Sequence, residues 1–434
     1  MSRIAGSQAL LSSQENRAYT IDGLMPIIVV RPGSIESVSR ILQFANTENL
    51  AVTPWGRNLR QIIGSPLDYL DVVLLTERLH SVVEHDVQNL TVTVEAGSTF
   101  DQLQKTVARS GQFVPLAPPA PHLSTVGGVI ATNTNGPSRR AHGSCRDQLL
   151  GLSAVLANGD IVNTGGKTMK NVAGYDVTKL MVGSLGTLAV ISQATFKTLP
   201  RPEYSSSLKA SFHEKPQSTL FSRDLLSSFL LPTAIFWVNG RRPEVGSTDT
   251  WRLFLSFDGS HKVVKRQISH ASDLLRQHKA AQVELLQGEP ERQARRAVRD
   301  LPWQISNTDV FAELRFHLPF STVFDAIESA STLAGSLGFV TQSIIFGGTG
   351  EAILYLWSDA SDSVRRSQLL SLVPPMVSLT TLKKGWMTVV RRHHSLTKDV
   401  RAWMPSNSVA YLMKRIKYQF DPNLTLNPGR VRLL

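Results

Sequence analysis

The N-terminal hundred residues alternate between short apolar runs and segments whose apolar positions recur at helical spacing. Residues 27–32 (IIVVRP) predict a strand, and Ser34 predicts the N-cap of a helix with apolar positions between 35 and 45. Residues 50–54 predict the next strand, so a strand–helix–strand unit ends at the loop PWGRNLR, residues 54–60. Further along, the pattern predicts strands at 72–75 and 91–95 and a helix from Thr99 to about Arg109.

The pattern changes twice after this region. Residues 111–151 are rich in Pro, Gly, Asn and Ser, and so long an irregular segment within a compact domain is typically functional. A strand pair with an Asn-Gly turn at 158–159 follows, and a domain boundary is expected near 200–202. Beyond it, strands alternate with helices in an order that predicts an antiparallel sheet. The expected strands are 233–238, 251–257, 311–318 and 352–357, and the expected helices are 263–278 and 322–337.

Length predicts two domains, and composition is that of a soluble globular protein. The chain has 434 residues and one cysteine, Cys145. It therefore carries no internal disulfide and does not hold an iron–sulfur cluster alone. There is no apolar run of about 18 residues, so we expect no transmembrane segment. The expected location is cytoplasmic, with peripheral attachment at the inner membrane through partners.

The net charge of +12 predicts that the protein binds an anionic partner. No zinc-finger, helix-turn-helix or RRM signature organises the Lys and Arg residues, so we expect no nucleic-acid binding. The densest basic cluster, Arg292 to Arg299, has helical spacing and is read as a solvated face. An anionic cofactor, an anionic substrate or an acidic partner subunit accounts for the charge.

Several possible motifs do not meet the requirements of the sites they suggest. GGKT at 165–168 lacks the upstream glycine of a P-loop, because Ile161 stands at that position. FGGTG at 346–350 lies between strand-like runs and predicts a hairpin turn. No GxGxxG opens a helix, so a Rossmann site is unsupported. His393 and His394 are adjacent and point apart, so no metal site is expected.

Four glycine-bearing segments together carry a different signal: PWGRNLR (54–60), STVGG (124–128), NGPSRRAHGSCRD (135–147) and GSLGTLAVI (183–191). Each alone is also compatible with an ordinary turn. Glycine removes the Cβ that blocks close approach, and consecutive N–H groups bind a diphosphate. The hydroxyls of Thr125, Ser184 and Thr187 can donate to phosphate or to a cofactor carbonyl. The set predicts a site for an extended nucleotide cofactor.

The run GGKTMKNVAGYDVTKLMVGSLGTLAVISQATFKTLPRP, with STVGG upstream and FDPNLTLNPG near the end, resembles FAD-binding oxidoreductases of the vanillyl-alcohol oxidase/p-cresol methylhydroxylase (PCMH) type. More narrowly, KNVAGYD–TKL–GSLGTL is similar to the smaller FAD-binding subunit of bacterial glycolate oxidase. The resemblance extends over essentially the whole chain. It is specific at 124–202, good at 415–430 and weak in the middle domain.

The resemblance implies a PCMH-type FAD-binding domain of two α+β subdomains at 1–202. It also implies an α+β cap or substrate domain at 203–400 and a tail at 401–434 that returns to the FAD domain. The implied reaction passes a hydride from a 2-hydroxy acid, with glycolate the leading substrate, to FAD. Electrons then leave to an iron–sulfur subunit of a complex that also contains a larger flavin subunit. The implied FAD-binding residues are Trp55, Gly56, Arg57, Asn58, Leu59, Thr125, Gly127, Gly128, Gly183, Ser184, Gly186, Thr187 and Ile191.

Two departures from the family pattern bear on these expectations. The HxGDGNxH metal and substrate motif of catalytic relatives is missing, which favours the smaller subunit and removes the usual catalytic base. Asn58 and Leu59 replace the Gly and Ser or Thr of the opening loop, so we expect Asn58 to adopt a positive φ. We also expect Arg57 and Arg60 to contact the diphosphate. The loop contains no histidine, so FAD should be bound non-covalently.

The catalytic residues are not identified by motif. Arg391, Arg392 and Arg315 are candidates for binding a substrate carboxylate, because guanidinium groups bind carboxylates bidentately; each is also compatible with an ordinary surface arginine. Two alternatives to the glycolate reading stay open. One is a structural or assembly subunit with a degenerate flavin site, and the other is a D-lactate-type FAD dehydrogenase.

Overall fold

We analysed a computed structural model, which describes residues 9–167, 176–240, 250–306, 308–392, 402–403, 405 and 407–432. The chain forms two compact units. The first consists of Met1–Asn135, Gly143–Arg201 and Arg401–Leu434, and the second of Gly136–His142 and Pro202–Val400. The segment Gly136–His142, which the sequence placed in the FAD-binding domain, thus belongs to the second unit.

The helices of the described residues vary from one to six turns. In chain order they are α1 Ser13–Asn16, α2 Ile35–Thr47, α3 Phe100–Ala108, α4 Val126–Ala131, α5 Arg139–His142, α6 Cys145–Gln148, α7 Val177–Met181, α8 Lys215–Ser227, α9 His261–Gln277, α10 Gly288–Ser306, α11 Phe320–Ser336, α12 Asp362–Leu382 and α13 Asn407–Phe420, with a 3₁₀ turn at Arg17–Tyr19.

The strands of the same residues form four sheets. In chain order they are β1 Ile28–Val30, β2 Val52–Trp55, β3 Val72–Leu75, β4 Val82–Asp86, β5 Thr91–Glu95, β6 Gln112–Phe113, β7 Leu149–Val155, β8 Ile161–Gly165, β9 Val190–Lys197, β10 Leu199–Pro200, β11 Tyr204–Phe212, β12 Ala234–Gly240, β13 Trp251–Gly259, β14 Ala281–Gln287, β15 Ala312–His317, β16 Val340–Phe346, β17 Glu351–Trp357 and β18 Trp386–Arg392.

The first unit contains two α+β layers. A parallel sheet of order β1-β3-β2 packs on α2, and an antiparallel sheet of order β4-β5-β9-β7-β8 packs on α3 and α4. The predicted cap at Ser34 is confirmed, because its Oγ accepts the N–H of Ser37 at 3.3 Å. The helix expected from Thr99 begins at Phe100, and Thr99 is its N-cap, in a capping box with Gln102. Strand β2 leads into the PWGRNLR loop, as the sequence predicts.

The second unit is built on one eight-stranded antiparallel sheet of order β14-β11-β13-β12-β16-β17-β15-β18. This confirms the predicted antiparallel sheet, and FGGTG forms the predicted turn between β16 and β17. The expectation of a fully solvated arginine face on α10 is wrong at Arg295. Its guanidinium binds Asp258 bidentately at 2.7 and 3.1 Å. It also forms an ion pair with Glu291, which is 2% exposed.

The single cysteine lies in the core of the first unit. Cys145 begins α6, its N–H donates to Asn135 Oδ1 at 2.8 Å, and its side chain is fully buried. Burial raises the pKa of its thiol to about 12, and the charge of Lys179 only partly opposes this. At pH 8 the thiolate fraction is therefore roughly one in 10⁴, compared with about a quarter for an ordinary cysteine.

We expect a thiol-specific disulfide reagent at pH 8 to leave the folded protein unlabelled. The same reagent should label one thiol per chain in guanidinium, because the sequence contains one cysteine. The release of the coloured leaving group measures both rates. Stoichiometric labelling of the folded protein within minutes would contradict the buried position.

Candidate functional site

The loop after β2 presents a run of backbone donors. Asn58 has φ 59°, which confirms the predicted left-handed conformation. Among the described residues, no hydrogen bond leaves the backbone N–H groups of Arg57, Asn58 and Leu59. Successive N–H groups around a left-handed residue form an anion-binding concavity, or nest. The loop therefore supplies a nest despite having a single glycine.

Gly56 allows this loop to lie against the start of α4. A Cβ at position 56 would lie 2.5 Å from Thr125 Oγ1, which is closer than real Cβ contacts allow. Thr125 is itself fixed as the N-cap of α4, where its Oγ1 accepts the N–H of Gly128 at 3.2 Å. Gly56 is thus required by close packing rather than by a positive φ.

These two segments open onto a cavity of about 110 Å³, which we call the first cavity. It corresponds to part of an extended dinucleotide, since pockets for drug-sized ligands typically span 300–1,000 Å³. The sequence-predicted residues that line it are Trp55, Gly56, Arg57, Asn58, Leu59, Thr125, Gly127, Gly128, Gly186 and Ile191. Arg60 lines it as well.

In two of the other predicted glycine segments, several backbone N–H groups form hydrogen bonds within the fold. The N–H groups of Val126 and Gly127 donate to Ser98 O and Ala96 O, at 2.9 and 2.8 Å. Likewise, the N–H groups of residues 183 and 185 donate to the end of α4, at the carbonyls of Ile130 and Ala131. These donors are therefore committed to the fold, and glycine here serves packing more than phosphate binding.

The loop GSLGT also divides two cavities. Leu185 and Gly186 line the first cavity, whereas Gly183, Ser184 and Thr187 line a second one of about 390 Å³ beneath α13. The structure thus does not bring these three predicted residues into the first cavity. Thr187 Oγ1 moreover donates to Ser184 O at 2.7 Å, so its proton is already used.

The C-terminal tail adds two residues that the sequence reading missed. Leu426 bridges Val52 of β2, and two residues after it, Asn427 and Arg430, line the first cavity. Asn427 is 5% exposed and donates Nδ2 to Leu185 O at 2.8 Å, while its Oδ1 has no partner among the described residues. The NPG tail was noticed as a family feature, but nothing in its local pattern showed which cavity it would line.

Arg430 is the second of these residues. It is 2% exposed, and its Nη1 donates to Asp22 Oδ2 and to Ser65 O, each at 3.0 Å. Its buried Nη2 has no partner within the described part of the chain. An unsatisfied buried donor on a guanidinium is costly unless a ligand accepts from it.

The first cavity fits the phosphate-bearing part of a dinucleotide such as FAD. It offers three consecutive N–H donors at 57–59, the arginines 57, 60 and 430, and the amide oxygen of Asn427 as an acceptor. The N–H donors and the arginines match the negative charge and the acceptor oxygens of a diphosphate. The amide oxygen of Asn427 can accept a hydrogen bond from an N–H or O–H of the cofactor. None of the described lining residues is a histidine or cysteine, the usual points of covalent attachment.

In the second unit, the structure argues against Arg315 as a free carboxylate binder. Its guanidinium lies between Glu313 Oε1 at 3.5 Å and Glu351 Oε1 at 3.6 Å. A substrate carboxylate would have to compete with both of these. Arg391 and Arg392 lie at the end of β18, paired in register with Glu313 and Ala312. Their side chains fall outside the described part of the structure, so they stay candidates.

Glu351 is the centre of this charged cluster. Its side chain is 9% exposed and accepts from Arg139 Nη1 at 2.5 Å, in addition to its contact with Arg315. Burial alone would raise the pKa of Glu351, but attraction by Arg315, His317 and Arg139 outweighs burial and holds the pKa below its usual value. Beside it, His317 stacks on Trp386 with ring centroids 4.9 Å apart, and burial lowers the pKa of this imidazole. The carboxylate of Glu351 is therefore ionised and fully engaged at neutral pH.

Two kinds of feature are absent from the part of the chain that the structure describes. No cluster of three His, Cys, Asp or Glu side chains could hold a metal ion, and His393 and His394 lie outside that part. No described helix combines the length and apolar character needed to cross a membrane.

Comparison with protein families gives two matches in order along the chain. The model described as "FAD binding domain" matches residues 26–165, and the one described as "FAD linked oxidases, C-terminal domain" matches residues 237–431. The cavity-lining loop at 54–60 falls within the first match and Asn427 and Arg430 fall within the second, whereas the lining residues between 185 and 191 lie between the two matches.

Curated relatives and solved structures agree with the family matches. The chain is 26% identical to the glycolate oxidase subunit GlcD of Bacillus subtilis, over 94% of this chain and 89% of that one. It is 28% identical to a D-lactate dehydrogenase of Archaeoglobus fulgidus, over 95% of each.

Among solved structures, p-cresol methylhydroxylase with bound substrate matches with a TM-score of 0.77 at 15% identity, over 99% of this chain and 95% of that chain. A 4-ethylphenol oxidase from Gulosibacter chungangensis matches with a TM-score of 0.76 at 17% identity, with the same coverage. At this identity the likeness concerns the fold. The chain belongs to the FAD-linked oxidases: it is an FAD-binding oxidoreductase with the α+β, PCMH-type fold.

Proposed function

We propose that this chain is the FAD-binding subunit of a 2-hydroxy-acid dehydrogenase, with glycolate as the leading substrate. The observation that carries the proposal is the first cavity, where a backbone nest meets two buried polar atoms without partners, Asn427 Oδ1 and Arg430 Nη2. When bound, FAD accepts a hydride from a C–H bond of the substrate. Relatives named as a glycolate oxidase subunit and as D-lactate dehydrogenases support the 2-hydroxy-acid class.

In this proposal, different residues of the first cavity contact different parts of the cofactor. The N–H groups of residues 57–59 donate to phosphate oxygens, and Arg57 and Arg60 neutralise the diphosphate charge. Arg430, fixed by Asp22, supplies a positive charge, and its Nη2 has no partner among the described residues. Asn427 is oriented by its bond to Leu185 O, so its free oxygen accepts from the cofactor.

The acceptor of the electrons is proposed to be an iron–sulfur partner subunit, in a complex with a larger flavin subunit. The only cysteine of this chain is buried, with its pKa raised to about 12, whereas clusters are held by several thiolates. Such a cluster would have to be carried by another chain. Peripheral attachment at a membrane through these partners stays a prediction.

The direct test is an absorbance spectrum of the purified chain followed by anaerobic addition of substrate. We expect flavin bands near 450 nm that protein precipitation releases, since the bond is non-covalent. Glycolate should bleach these bands, and D-lactate should bleach them more slowly. L-Alanine, which has an amine in place of the hydroxyl, serves as the control and should leave them unchanged.

The possible outcomes separate the candidate functions. Faster bleaching by D-lactate would favour the D-lactate-type dehydrogenase. Absence of flavin, even after incubation with FAD, would favour the structural or assembly subunit. That reading draws support from the committed donors at 126–127 and 183–185, which leave the loop 57–59 as the main phosphate contact. Flavin that is bound and bleached by neither acid would overturn the 2-hydroxy-acid proposal for the isolated chain.

A further inference from the structure

The second cavity is left over when the cofactor residues are assigned. Its volume of about 390 Å³ lies within the range of small-molecule pockets, and it is contained in the first unit, beneath α13. Gly183, Ser184 and Thr187, which the sequence assigned to FAD, form one wall of it. Asn427 lines both cavities, but none of the other residues given a cofactor-binding role in the first cavity lines the second one. Apart from Asn427, this second site therefore has no assigned function.

The walls of the second cavity are mainly apolar. The described residues that give it this character are Leu180, Val182, Leu188, Met413, Ile416 and Val431. Although α13 is amphipathic, only Ala410 along it is buried, so the helix covers the cavity without filling it. Apolar surface that is concave and unfilled favours an apolar ligand, because its burial releases water.

The lining also contains polar and charged residues. Among the titratable lining residues, Lys414, Lys417 and Arg432 are cationic and Asp68 is anionic. Arg432 is paired with Asp68, and Lys417 with Asp421. Lys414 has no ion pair among the described residues, so the cavity has a net positive charge. In addition, the buried Oγ of Ser184 has no hydrogen-bond partner there.

Lys417 shapes the cavity but is not free to bind a ligand. Its ammonium donates to Thr187 O at 2.7 Å, to Leu426 O at 2.9 Å and to Asp421 Oδ2 at 2.5 Å. All three of its protons are therefore used within the fold. The group available to an anionic ligand is Lys414, with the hydroxyls of Ser184 and Tyr418 as further polar groups of the lining.

We propose that the second cavity binds one alkyl chain of an anionic amphiphile, with the anionic head at Lys414 and the chain along the apolar wall of α13. Charge complementarity selects the anionic head, and the apolar lining selects the chain. The chemistry is shared by a free fatty acid and by one chain of an anionic phospholipid. Neither source depends on the proposed 2-hydroxy-acid activity.

Calorimetric titration of the FAD-loaded protein with sodium decanoate below its micelle concentration tests the proposal. We expect one saturable site, with octanoate bound about fifteenfold more weakly because each buried CH₂ strengthens binding about fourfold. Decyltrimethylammonium has the same chain with a cationic head and should show no saturable binding. Saturable binding of both heads alike would overturn the charge argument.

Neighbouring positions of α13 provide matched controls. Met413→Trp, which fills the cavity, and Lys414→Glu, which reverses the charge, should each weaken decanoate binding at least tenfold. Leu412→Trp and Arg415→Glu alter adjacent exposed residues that do not line the cavity, and should leave binding within about twofold. Retained 450 nm absorbance shows that the first unit stays folded in every variant. Equal loss in test and control variants, or no saturable site in the unaltered protein, would overturn the proposal.

Sedimentation with vesicles distinguishes the two sources. If the bound alkyl chain belongs to a bilayer lipid, the protein should sediment with phosphatidylglycerol vesicles but not with phosphatidylcholine vesicles. Met413→Trp should then abolish the sedimentation with phosphatidylglycerol. If the ligand is a free fatty acid, decanoate should bind while neither vesicle carries the protein down. Sedimentation that Met413→Trp and Leu412→Trp reduce equally would place the contact on the exposed face of α13 and count against the cavity.

Discussion

The substitution Gly56→Ala is expected to lower the affinity for FAD by about 10²–10⁴-fold. A Cβ at this position meets Thr125 Oγ1 at 2.5 Å, and Thr125 is held as the N-cap of α4. The loop must then move away from the helix and carry the N–H groups of residues 57–59 out of place. Losing two charge-assisted phosphate hydrogen bonds costs about 3–6 kcal/mol, which corresponds to that range. Fluorescence titration of the apoprotein with FAD measures the loss.

Two further variants separate a local clash from general damage. Gly33→Ala lies in the same unit, where a Cβ meets nothing within 4 Å and φ is not positive, so FAD affinity should stay unchanged. Combining Gly56→Ala with Thr125→Ala removes the clashing hydroxyl and should recover part of the affinity, at a cost of about 1 kcal/mol for the lost cap. If Gly56→Ala binds FAD within twofold of the unaltered protein, the loop at 54–60 is not the diphosphate segment.

The opening loop shows how far a sequence can specify a binding segment. Its place after β2 follows from apolar periodicity, and the positive φ of Asn58 follows from the low cost of this conformation for asparagine. The division of GSLGT between two cavities could not be read in the same way. Leu185 and Gly186 both have positive φ, and this bend turns neighbouring residues toward opposite sides. A motif string does not contain that information.

Long-range contacts account for most of what the sequence did not reveal. Arg315 was a candidate because guanidinium groups bind carboxylates. In the structure the carboxylate beside its guanidinium belongs to Glu351, on a strand more than thirty residues away in the chain. Asn427 and Arg430 reach the first cavity because Leu426 bridges Val52, at the other end of the sequence. Such pairings depend on sheet register and tail path, which local spacing does not determine.

The helix α12 shows a local rule overridden by packing. Pro374 and Pro375 lie inside it, although proline in a helix interior costs about 3 kcal/mol and normally ends the helix. The helix continues because Leu369, Leu372 and Met376 are fully buried on the same side. Burying each such side chain contributes about 1.5–3 kcal/mol, which offsets the local cost.

The substitution Glu351→Gln is expected to destabilise the second unit by about 3–5 kcal/mol at pH 7. Removing one partner of a buried ion pair leaves the other charge uncompensated, and here both Arg139 and Arg315 lose their shared carboxylate. The amide keeps the shape of the side chain, so the effect reports charge rather than volume. Urea unfolding, followed by fluorescence of the tryptophans in the second unit, measures the free energy of unfolding.

The stabilisation by Glu351 should depend on pH, and it should be lost as the pH falls. Because the pKa of Glu351 is lower in the folded than in the unfolded chain, its contribution is complete above the ordinary glutamate pKa of about 4.3 and fades as the pH falls toward the folded value. The stability difference between the unaltered protein and Glu351→Gln should therefore be constant from pH 6 to 8 and narrow below about pH 4.5.

Glu284→Gln is the matched control on β14 of the same sheet. Its carboxylate is 59% exposed and lies 3.9 Å from Lys209, so its loss should cost no more than about 1 kcal/mol. Equal effects of the two substitutions, or a Glu351→Gln difference that stays constant down to pH 3, would show that Glu351 is not held ionised between the two arginines. The unequal result would show instead that Arg315 is committed to the fold of the second unit, which leaves Arg391 and Arg392 as the arginines to test for substrate binding.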